Sequence, residues 1–311
     1  MSILLEANLP LRLLRRGKVR DIYDLGDKLL IVASDRISAF DLVLPCGIPD
    51  KGNVLNQLSA FWFEKTAYIM PNHLVKVIDS NIILNEVKNL TDYPGELPDY
   101  LVGRSMIVAK AERIPAECIV RGYLAGSAWV EYKDGGTVNG IRLPAGMKES
   151  QVLPQPMFTP TTKGETEHDR PLTNQDIREL EEMIAGKLKR GHLNLIKELE
   201  KKSLLIYHHA QDYARSKGII IADTKFEFGL INGALTLIDE LLTPDSSRFW
   251  AAGQYEAGRA QSSLDKQPVR DWLSAAGWDK EPPAPTLSSE VIEATTQRYN
   301  KIYQLLTGKN I

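Results

Sequence analysis

The chain has 311 residues, of which 43% are hydrophobic and 25% charged, and a formal net charge of −2. These values are typical of a globular enzyme with a well-developed core, and they argue against a general nucleic-acid binder. Cys46 and Cys118 are the only cysteines and form no CxxC motif, which argues against a disulfide framework and a zinc site. With neither a signal-peptide pattern nor an apolar run of membrane-spanning length, the sequence predicts a cytoplasmic protein.

Two alternating strands are predicted near the N-terminus, over residues 19–23 and 28–33. Gly17, Lys18 and Arg20 stand where the first strand begins. A glycine with two cations on one strand face can hold the phosphates of a nucleotide, although a Walker A motif is absent from the sequence. Because basic residues are common at the start of hairpins, a purely structural role stays open for these three.

A helix and three more strands follow in the predicted order of elements. Asn53 is expected to cap the helix, whose apolar residues recur at helical spacing. The strands, over residues 75–78, 106–109 and 119–120, are predicted to join the first two in one mostly antiparallel sheet.

Polar segments connect and follow these strands. The connector at residues 110–115 is of a kind that offers backbone groups to an adenine ring in several ATP-binding folds. Arg121 and Ser127 lie in a glycine-containing loop that can bind a phosphate or a carboxylate, or can form a tight turn with a structural ion pair. Residues 133–162 are predicted to be a long surface excursion, and residues 158–169 a binding loop.

Two helices precede the most informative part of the chain. Thr173 is predicted to cap the first, and the second, over residues 193–216, is expected to end at Lys217-Gly218. A final helix is expected over residues 289–306.

Between the helix over residues 193–216 and the final helix, residues 218–250 combine a buried strand with alternating charges. Asp223, Lys225 and Glu227 share one strand face because strand side chains alternate. Asn232-Gly233 predicts a hairpin turn, and the returning strand ends at Asp239. A polar loop with Asp245 and Arg248 comes next.

The charges of this hairpin suggest a metal and phosphate site. Two carboxylates on adjacent strands can share a divalent ion that also binds a polyphosphate, while a lysine neutralises the anion. We predict a three-residue loop centred on Gly233, because it pairs Glu227 with Asp239, whereas a two-residue loop would pair Glu227 with Ile238. The alternative is a solvent-facing hairpin whose charges form surface pairs.

Six segments in order, GKVRDIY, SDRISAFD, AECIVRGYLAGSAW, FTPTTKGETEHD, IIADTKFEFG and DELLTPDSSRFW, resemble the SAICAR synthetase family. The resemblance runs from about residue 15 to residue 250, and the chain length is closer to the family's long form. It implies a ligase of purine biosynthesis that joins the carboxylate of CAIR, 5-amino-1-(5-phospho-D-ribosyl)imidazole-4-carboxylate, to the amine of L-aspartate. ATP and Mg²⁺ would be used, and SAICAR, ADP and phosphate formed.

The same resemblance implies an α+β fold with two parts. An antiparallel nucleotide-binding sheet region, residues 1–115, would pack against a second α+β region, residues 116–311, that binds substrate and metal and carries the C-terminal helices. ATP would lie between them in a cleft of the ATP-grasp or kinase-like kind. The ligands expected are small molecules, with no nucleic acid or membrane, and we expect a monomer because the excursion can block a dimer face.

The resemblance also assigns site residues. The ATP-binding set is Gly17, Lys18, Arg20, Val108, Lys110, Glu112 and Arg113, and the Mg²⁺ ligands are Glu227 and Asp239. The substrate-binding set is Arg121, Ser127, Asp223, Lys225, Asp245, Arg248, Ser38 and His168. The catalytic set is Lys225, Asp223 and Asp41. The general base stays open among Asp41, Asp223 and His168, and L-aspartate is expected either at Ser38 and Asp41 or at the loop of residues 159–169.

Two other functions are compatible with parts of this pattern. Another ATP-dependent carboxylate–amine ligase or phosphotransferase on the same scaffold would leave RGYLAGS and TPDSSR unexplained. A nucleotide-binding regulatory module without turnover is expected to lack a metal carboxylate or a phosphate cation, whereas Lys18, Lys225, Glu227 and Asp239 are all present.

Overall fold

The computed structural model describes residues 3–80, 97–163, 170–188 and 194–311. The helices are α1 (Lys51–Thr66), α2 (Ser127–Gly135), α3 (Asn174–Ile184), α4 (Leu195–Ser216), α5 (Gln267–Ala275) and α6 (Ser289–Thr307). The first eight strands are β1 (Leu13–Arg16), β2 (Arg20–Leu25), β3 (Lys28–Ala33), β4 (Arg36–Ala39), β5 (Leu42–Gly47), β6 (Leu74–Ile78), β7 (Ser105–Ala109) and β8 (Glu112–Arg113). The others are β9 (Ala116–Tyr123), β10 (Thr137–Val138), β11 (Ile141–Arg142), β12 (Val152–Phe158), β13 (Thr161–Thr162), β14 (Ile219–Ile231), β15 (Ala234–Ile238) and β16 (Ser247–Ala251).

The first sheet has five antiparallel strands in the order β1-β2-β3-β7-β6. The predicted hairpin is confirmed, since Leu25 pairs with Lys28 across a two-residue turn. One face of this sheet is covered by the N-terminal segment, where the Tyr23 hydroxyl donates to the backbone oxygen of Ala7. The other face contributes to the main core and to the cleft described below.

The second sheet has seven strands and is organised around the 13-residue β14. The prediction that residues 119–120 belong to the first sheet is wrong, because they lie in β9, which pairs with β14. The chain changes sheets between Ala109 and Glu112, where β8 already pairs with β14. Strand periodicity identifies a strand but contains no information on which sheet it joins.

The long excursion after α2 is also more than a surface loop. Its segment β12 pairs with β9 in the second sheet, and Val138, Met147 and Leu153 are buried in a small core with Tyr132. The Gly and Pro content of this segment reflects its turns, which connect short strands that the composition does not reveal.

The turn between β14 and β15 differs from the prediction. Ile231 pairs with Ala234 and Glu227 with Ile238, so the loop has two residues and the predicted three-residue loop is wrong. Asn232 and Gly233 have φ values of 50° and 74°, as the two-residue turn that Asn-Gly favours requires.

Helix boundaries follow local signals except at α1. Thr173 and Asp176 form the predicted capping box, and Gly308 ends α6 at a φ of 74°. The helix α1 begins at Lys51 rather than after Asn53. The reason is tertiary, because the backbone N–H of Gly52 donates to Oδ1 of Asp35 at 2.9 Å.

Backbone bonds join the two sheets beside the cleft. The backbone N–H of His73 donates to the oxygen of Leu237, and the N–H of Leu237 donates to the oxygen of Pro71. The main core lies behind this junction, where α4 packs on the second sheet, α1 packs on strands of the first sheet and α6 packs on α1. In the parts of the chain that the structure describes, no helix has the length and apolar character needed to cross a membrane.

Candidate active site

A cleft of about 710 Å³ opens between the two sheets, within the size range of small-molecule sites. Its wall on the first sheet is apolar and formed by Val19, Ile22, Leu29 and Ile31. This wall can accept the flat face of an aromatic ring. The opposite side is polar and comes from β9, β14 and the residues that follow β15.

Most residues that the sequence singled out lie in this cleft. Those lining it are Gly17, Lys18, Arg20, Ser38, Asp41, Arg113, Arg121, Ser127, Asp223, Lys225, Glu227, Asp239, Asp245 and Arg248. His168 lies outside the described residues.

Three members of the predicted ATP-binding set do not line the cleft with their side chains. Val108 is completely buried in the core. Lys110 pairs with Asp24, and Glu112 pairs with Lys187. A role for these residues through their backbone therefore stays a prediction, while the neighbouring Ala109, Ala111 and Arg113 line the cleft.

Glu227, which is buried, and Asp239, whose side chain is 24% exposed, form a pair of carboxyl groups. The cross-strand partner of Glu227 is Ile238, but Asp239 has a φ of 70°, and this left-handed conformation breaks the alternation of the strand. Burial, and then the charge of Asp239, raises the pKa of Glu227. Burial alone would also raise the pKa of Asp239, but the charges of Arg20, Lys163 and Lys225 together lower it below its usual range.

Cations compensate these carboxyl groups. Arg20 lies 2.7 Å from Asp239 and 3.3 Å from Glu240, and Lys163 pairs with Glu227. Lys225 donates to Glu117 at 2.6 Å. Burial alone would lower the pKa of Lys225, but the charges of Glu117, Glu227 and Asp239 together outweigh it and raise that pKa, so Lys225 stays protonated and acts as a cation.

A second group of cleft residues surrounds Asp223. Arg248 pairs with Asp223, and Arg121 approaches it at 3.7 Å. Arg121 also donates to Thr159 at 3.0 Å and to Ser127 at 3.3 Å. These contacts place two guanidinium groups and a hydroxyl together, a combination suited to a phosphate or carboxylate.

Asp245 lines the cleft, but the protein itself binds both of its carboxylate oxygens. Lys51 donates to Oδ2 at 2.8 Å and the Tyr299 hydroxyl donates to Oδ1 at 2.6 Å. Burial alone would raise the pKa of Asp245, but the charges of Lys51 and Lys266, with the hydrogen bonds from Lys51 and Tyr299, lower it below its usual range. The geometry therefore makes Asp245 an anchor of the loop before β16, and its predicted contact with substrate stays a prediction.

Sequence reasoning missed six charged residues of the cleft: Arg15, Glu117, Lys163, Glu240, Lys266 and Arg270. Glu117 was detectable, because it alternates with Ile119 and Arg121 along β9 and all three line the cleft. Lys266 and Arg270 had no such signal, since they come from the C-terminal part of the chain and reach the cleft only through tertiary packing.

The cleft has an excess of positive charge. Among the described residues that line it, ten are Lys or Arg and seven are Asp or Glu. The described residues contain no cluster of three or more side chains able to ligate a metal. The Glu227–Asp239 pair nonetheless supplies hard oxygen donors of the kind Mg²⁺ binds when substrate phosphates complete its coordination.

An apolar wall, a carboxyl pair and surplus cations in a cleft between two antiparallel sheets define an enzyme of the ATP-dependent ligase and phosphotransferase class. The comparisons specify it further: residues 13–285 match the SAICAR synthetase family model, and the chain belongs to that family. It is 51% identical to phosphoribosylaminoimidazole-succinocarboxamide synthase of Thermodesulfovibrio yellowstonii and 48% identical to that of Geobacter metallireducens, with 99% of each chain covered.

Solved structures agree with this assignment. A SAICAR synthase from Saccharomyces cerevisiae complexed with SAICAR has a TM-score of 0.80 and 37% identity, with 99% of both chains covered. A SAICAR synthetase in complex with ADP has a TM-score of 0.66 and 25% identity, covering 96% of this chain and 98% of that one.

The predicted α+β fold and the predicted activity are thereby confirmed. The protein is an ATP-dependent ligase that condenses CAIR with L-aspartate to give SAICAR in purine biosynthesis. Another ligase or phosphotransferase activity on the same scaffold is not favoured.

Proposed function

We propose that the cleft divides its substrates between its two walls. The adenine of ATP packs on the apolar wall of the first sheet, and its phosphates face Gly17, Lys18 and Arg20. CAIR binds on the second sheet, where Arg121, Ser127 and Arg248 receive its phosphate or carboxylate. The observation that carries this proposal is the Glu227–Asp239 carboxyl pair in the same cleft as these cations.

Glu227 and Asp239 are proposed to hold Mg²⁺. An ion held by these two carboxylates would supply positive charge against the phosphates of ATP. Arg20 and Lys163 compensate the two carboxyl groups in the ligand-free chain, which keeps a pair of like charges tolerable.

The reaction needs activation of a carboxylate, which is a poor electrophile. A CAIR carboxylate oxygen attacks the γ-phosphorus of ATP, and the bond to ADP breaks to leave an acyl phosphate. The aspartate amine then attacks the acyl carbon, the C–N bond forms, phosphate leaves and the nitrogen loses a proton. The charged residues around the cleft act mainly by positioning the reactants and neutralising charge.

The aspartate amine must lose a proton, and the ion pairs of the cleft bear on which group accepts it. Lys225 is protonated and cannot serve. Asp223 pairs with Arg248 and Asp41 pairs with Lys18, so either carboxylate must exchange a cation for the amine to act as base. Both remain candidates for that role, as does His168, which lies outside the described residues.

The two parts of the sequence, residues 1–115 and 116–311, are proposed to supply the nucleotide wall and the substrate wall respectively. A cytoplasmic monomer stays a prediction as well. Sedimentation velocity at micromolar concentration tests the oligomeric state, and a stable dimer would contradict it.

The first experiment measures ADP release with Mg·ATP while CAIR and L-aspartate are omitted in turn. Turnover that requires both substrates is expected. Glu227→Gln should lower kcat at least about 100-fold, because it removes one of the two proposed Mg²⁺ ligands. Glu200→Gln is the matched control, since Glu200 is an exposed glutamate of α4 outside the cleft lining. Full activity of Glu227→Gln would refute the metal assignment.

A further inference from the structure

The short loop before β2, residues 17–19, is held from behind by the segment that joins β3 to β4. Arg36, the first residue of β4, donates to the backbone oxygens of Gly17 and Lys18 at 2.9 and 3.1 Å. Ser34 donates to the backbone oxygen of Val19 from its N–H at 2.9 Å and from its hydroxyl at 3.0 Å. Three successive oxygens of this loop are therefore bound by one segment.

The direction of these oxygens also fixes the direction of two N–H groups. In a planar trans peptide the N–H points opposite to the oxygen, so the bonds from Arg36 direct the N–H groups of Lys18 and Val19 to the other side of the loop. Lys18 and Val19 both line the cleft, and in the described parts of the chain neither N–H has a hydrogen-bond partner. Successive N–H groups on one side of a turn form an anion-binding concavity, which suits phosphate oxygens.

Arg36 acts on this loop without entering the cleft. It is 7% exposed and is not among the described residues that line the cleft. Its guanidinium also donates to the buried Asp21 at 2.8 Å and to the backbone oxygen of Leu5. Because Asp21 compensates its charge, Arg36 influences an anion in the cleft through the geometry of the loop rather than by direct attraction.

We propose that Arg36 is a positioning residue for ATP: it orients the peptide groups of the loop so that the N–H groups of Lys18 and Val19 bind phosphate oxygens. This inference rests on the proposed function, which places the phosphates of ATP at this loop. A lysine does not replace Arg36, because only the planar fork of a guanidinium reaches two backbone oxygens and a carboxylate in fixed directions at once.

The test compares the equilibrium dissociation constants of ADP and adenosine for the full chain. These two ligands share the base and the ribose and differ in the phosphates. Arg36→Lys should raise the dissociation constant of ADP at least about tenfold, the loss expected when contacts to a charged group are misaligned. The dissociation constant of adenosine should stay within about twofold of that of the unmodified enzyme, as for a separate subsite.

Arg104→Lys is the matched control. Arg104 is also buried and pairs with the buried Asp35 at 3.0 Å, but among the described residues it neither donates to the loop nor lines the cleft. It should leave the affinity for ADP within about twofold of that of the unmodified enzyme. Circular dichroism checks that both variants are folded, and Arg36→Lys keeps a positive charge beside Asp21 for that purpose.

Three outcomes would overturn the proposal: an unchanged affinity for ADP in Arg36→Lys, equal losses for ADP and adenosine, or an equal loss for ADP in Arg104→Lys. Lys18→Met tests the proposed function separately, because it removes a cation assigned to the phosphates. If Lys18→Met weakens ADP binding and Arg36→Lys does not, only the role of Arg36 fails. If neither substitution affects ADP, the placement of the phosphates at this loop fails as well.

Discussion

At the scale of single residues, the backbone conformation of Asp239 assembles the carboxyl pair. The two-residue turn puts Ile238 opposite Glu227, and continued alternation would point Asp239 away from it. The left-handed φ of 70° at Asp239 interrupts this alternation and brings the Asp239 carboxyl group to the side of Glu227. A non-glycine residue in this conformation stores strain, which is common at functional sites.

The position of Arg248 in the cleft also depends on a single residue, Gly126. It has a φ of 58° and ψ of −134°, and a Cβ at this position would overlap the guanidinium of Arg248. We expect Gly126→Ala to displace Arg248 and to raise KM for CAIR at least about tenfold, as for loss of a charged contact.

Gly140→Ala is the control for that substitution. Gly140 also has a positive φ, 73°, but no atom of the described residues lies within 4 Å of the position that a Cβ would occupy, so the substitution carries the backbone strain without the clash. Equal KM values for CAIR in the two variants would show that Arg248 is not displaced, or that it does not bind CAIR.

At the scale of elements, the first and last helices position a loop of the cleft. Lys51 of α1 and Tyr299 of α6 bind Asp245, which follows β15. Lys51 is completely buried and also lies over the Tyr299 ring at 5.9 Å. The C-terminal helix therefore contributes to the geometry of the site although none of its residues is in the cleft lining.

Breaking this buried pair should destabilise the fold. Lys51→Met is expected to lower the free energy of unfolding by about 3 to 5 kcal/mol at pH 7, the usual result of leaving a buried charge unpaired. Because the folded pKa of Asp245 is depressed, the stabilisation is present above its unfolded pKa of about 3.9 and is lost as pH falls below that value. The deficit should thus shrink near pH 3.

Urea unfolding at both pH values measures this effect. Lys301→Met serves as control, because Lys301 is exposed on α6, the helix that carries Tyr299. It should change the free energy of unfolding by no more than about 0.5 kcal/mol. A deficit in Lys51→Met that is the same at pH 7 and pH 3 would contradict the role assigned to Asp245.

At the scale of the whole molecule, charge is distributed unevenly. The chain has a net charge of −2, yet the described residues lining the cleft include more cations than anions. A local excess of positive charge between low-dielectric walls attracts polyanions such as ATP and CAIR. Average composition excludes a general nucleic-acid binder but cannot show such a site.

This distribution predicts a salt effect on catalysis. Raising KCl from about 0.05 M to about 0.5 M should lower kcat/KM for CAIR several-fold, because salt screens the attraction. Circular dichroism at both concentrations checks that the fold is unchanged. A kcat/KM that is insensitive to salt would argue against steering by the cleft cations.

The sequence by itself determined the chemistry at most of the predicted site and many element boundaries. The glycine and cations before β2, the alternating charges of β14, the Thr173 cap and the Gly308 end of α6 are local signals, set by spacing and backbone preference. Six segments in the correct order were sufficient to indicate the family. The residue types at the predicted positions of the cleft could therefore be named before any contact was known.

Only the tertiary structure decided which of these groups meet. It moved β9 to the second sheet, started α1 early through the distant Asp35, and brought Lys163, Lys266 and Arg270 to the cleft from segments far apart in the chain. It also brought Asp239 beside Glu227 by a backbone turn that the strand pattern opposes. These outcomes depend on packing between segments separated by tens to hundreds of residues. Local periodicity does not predict such contacts.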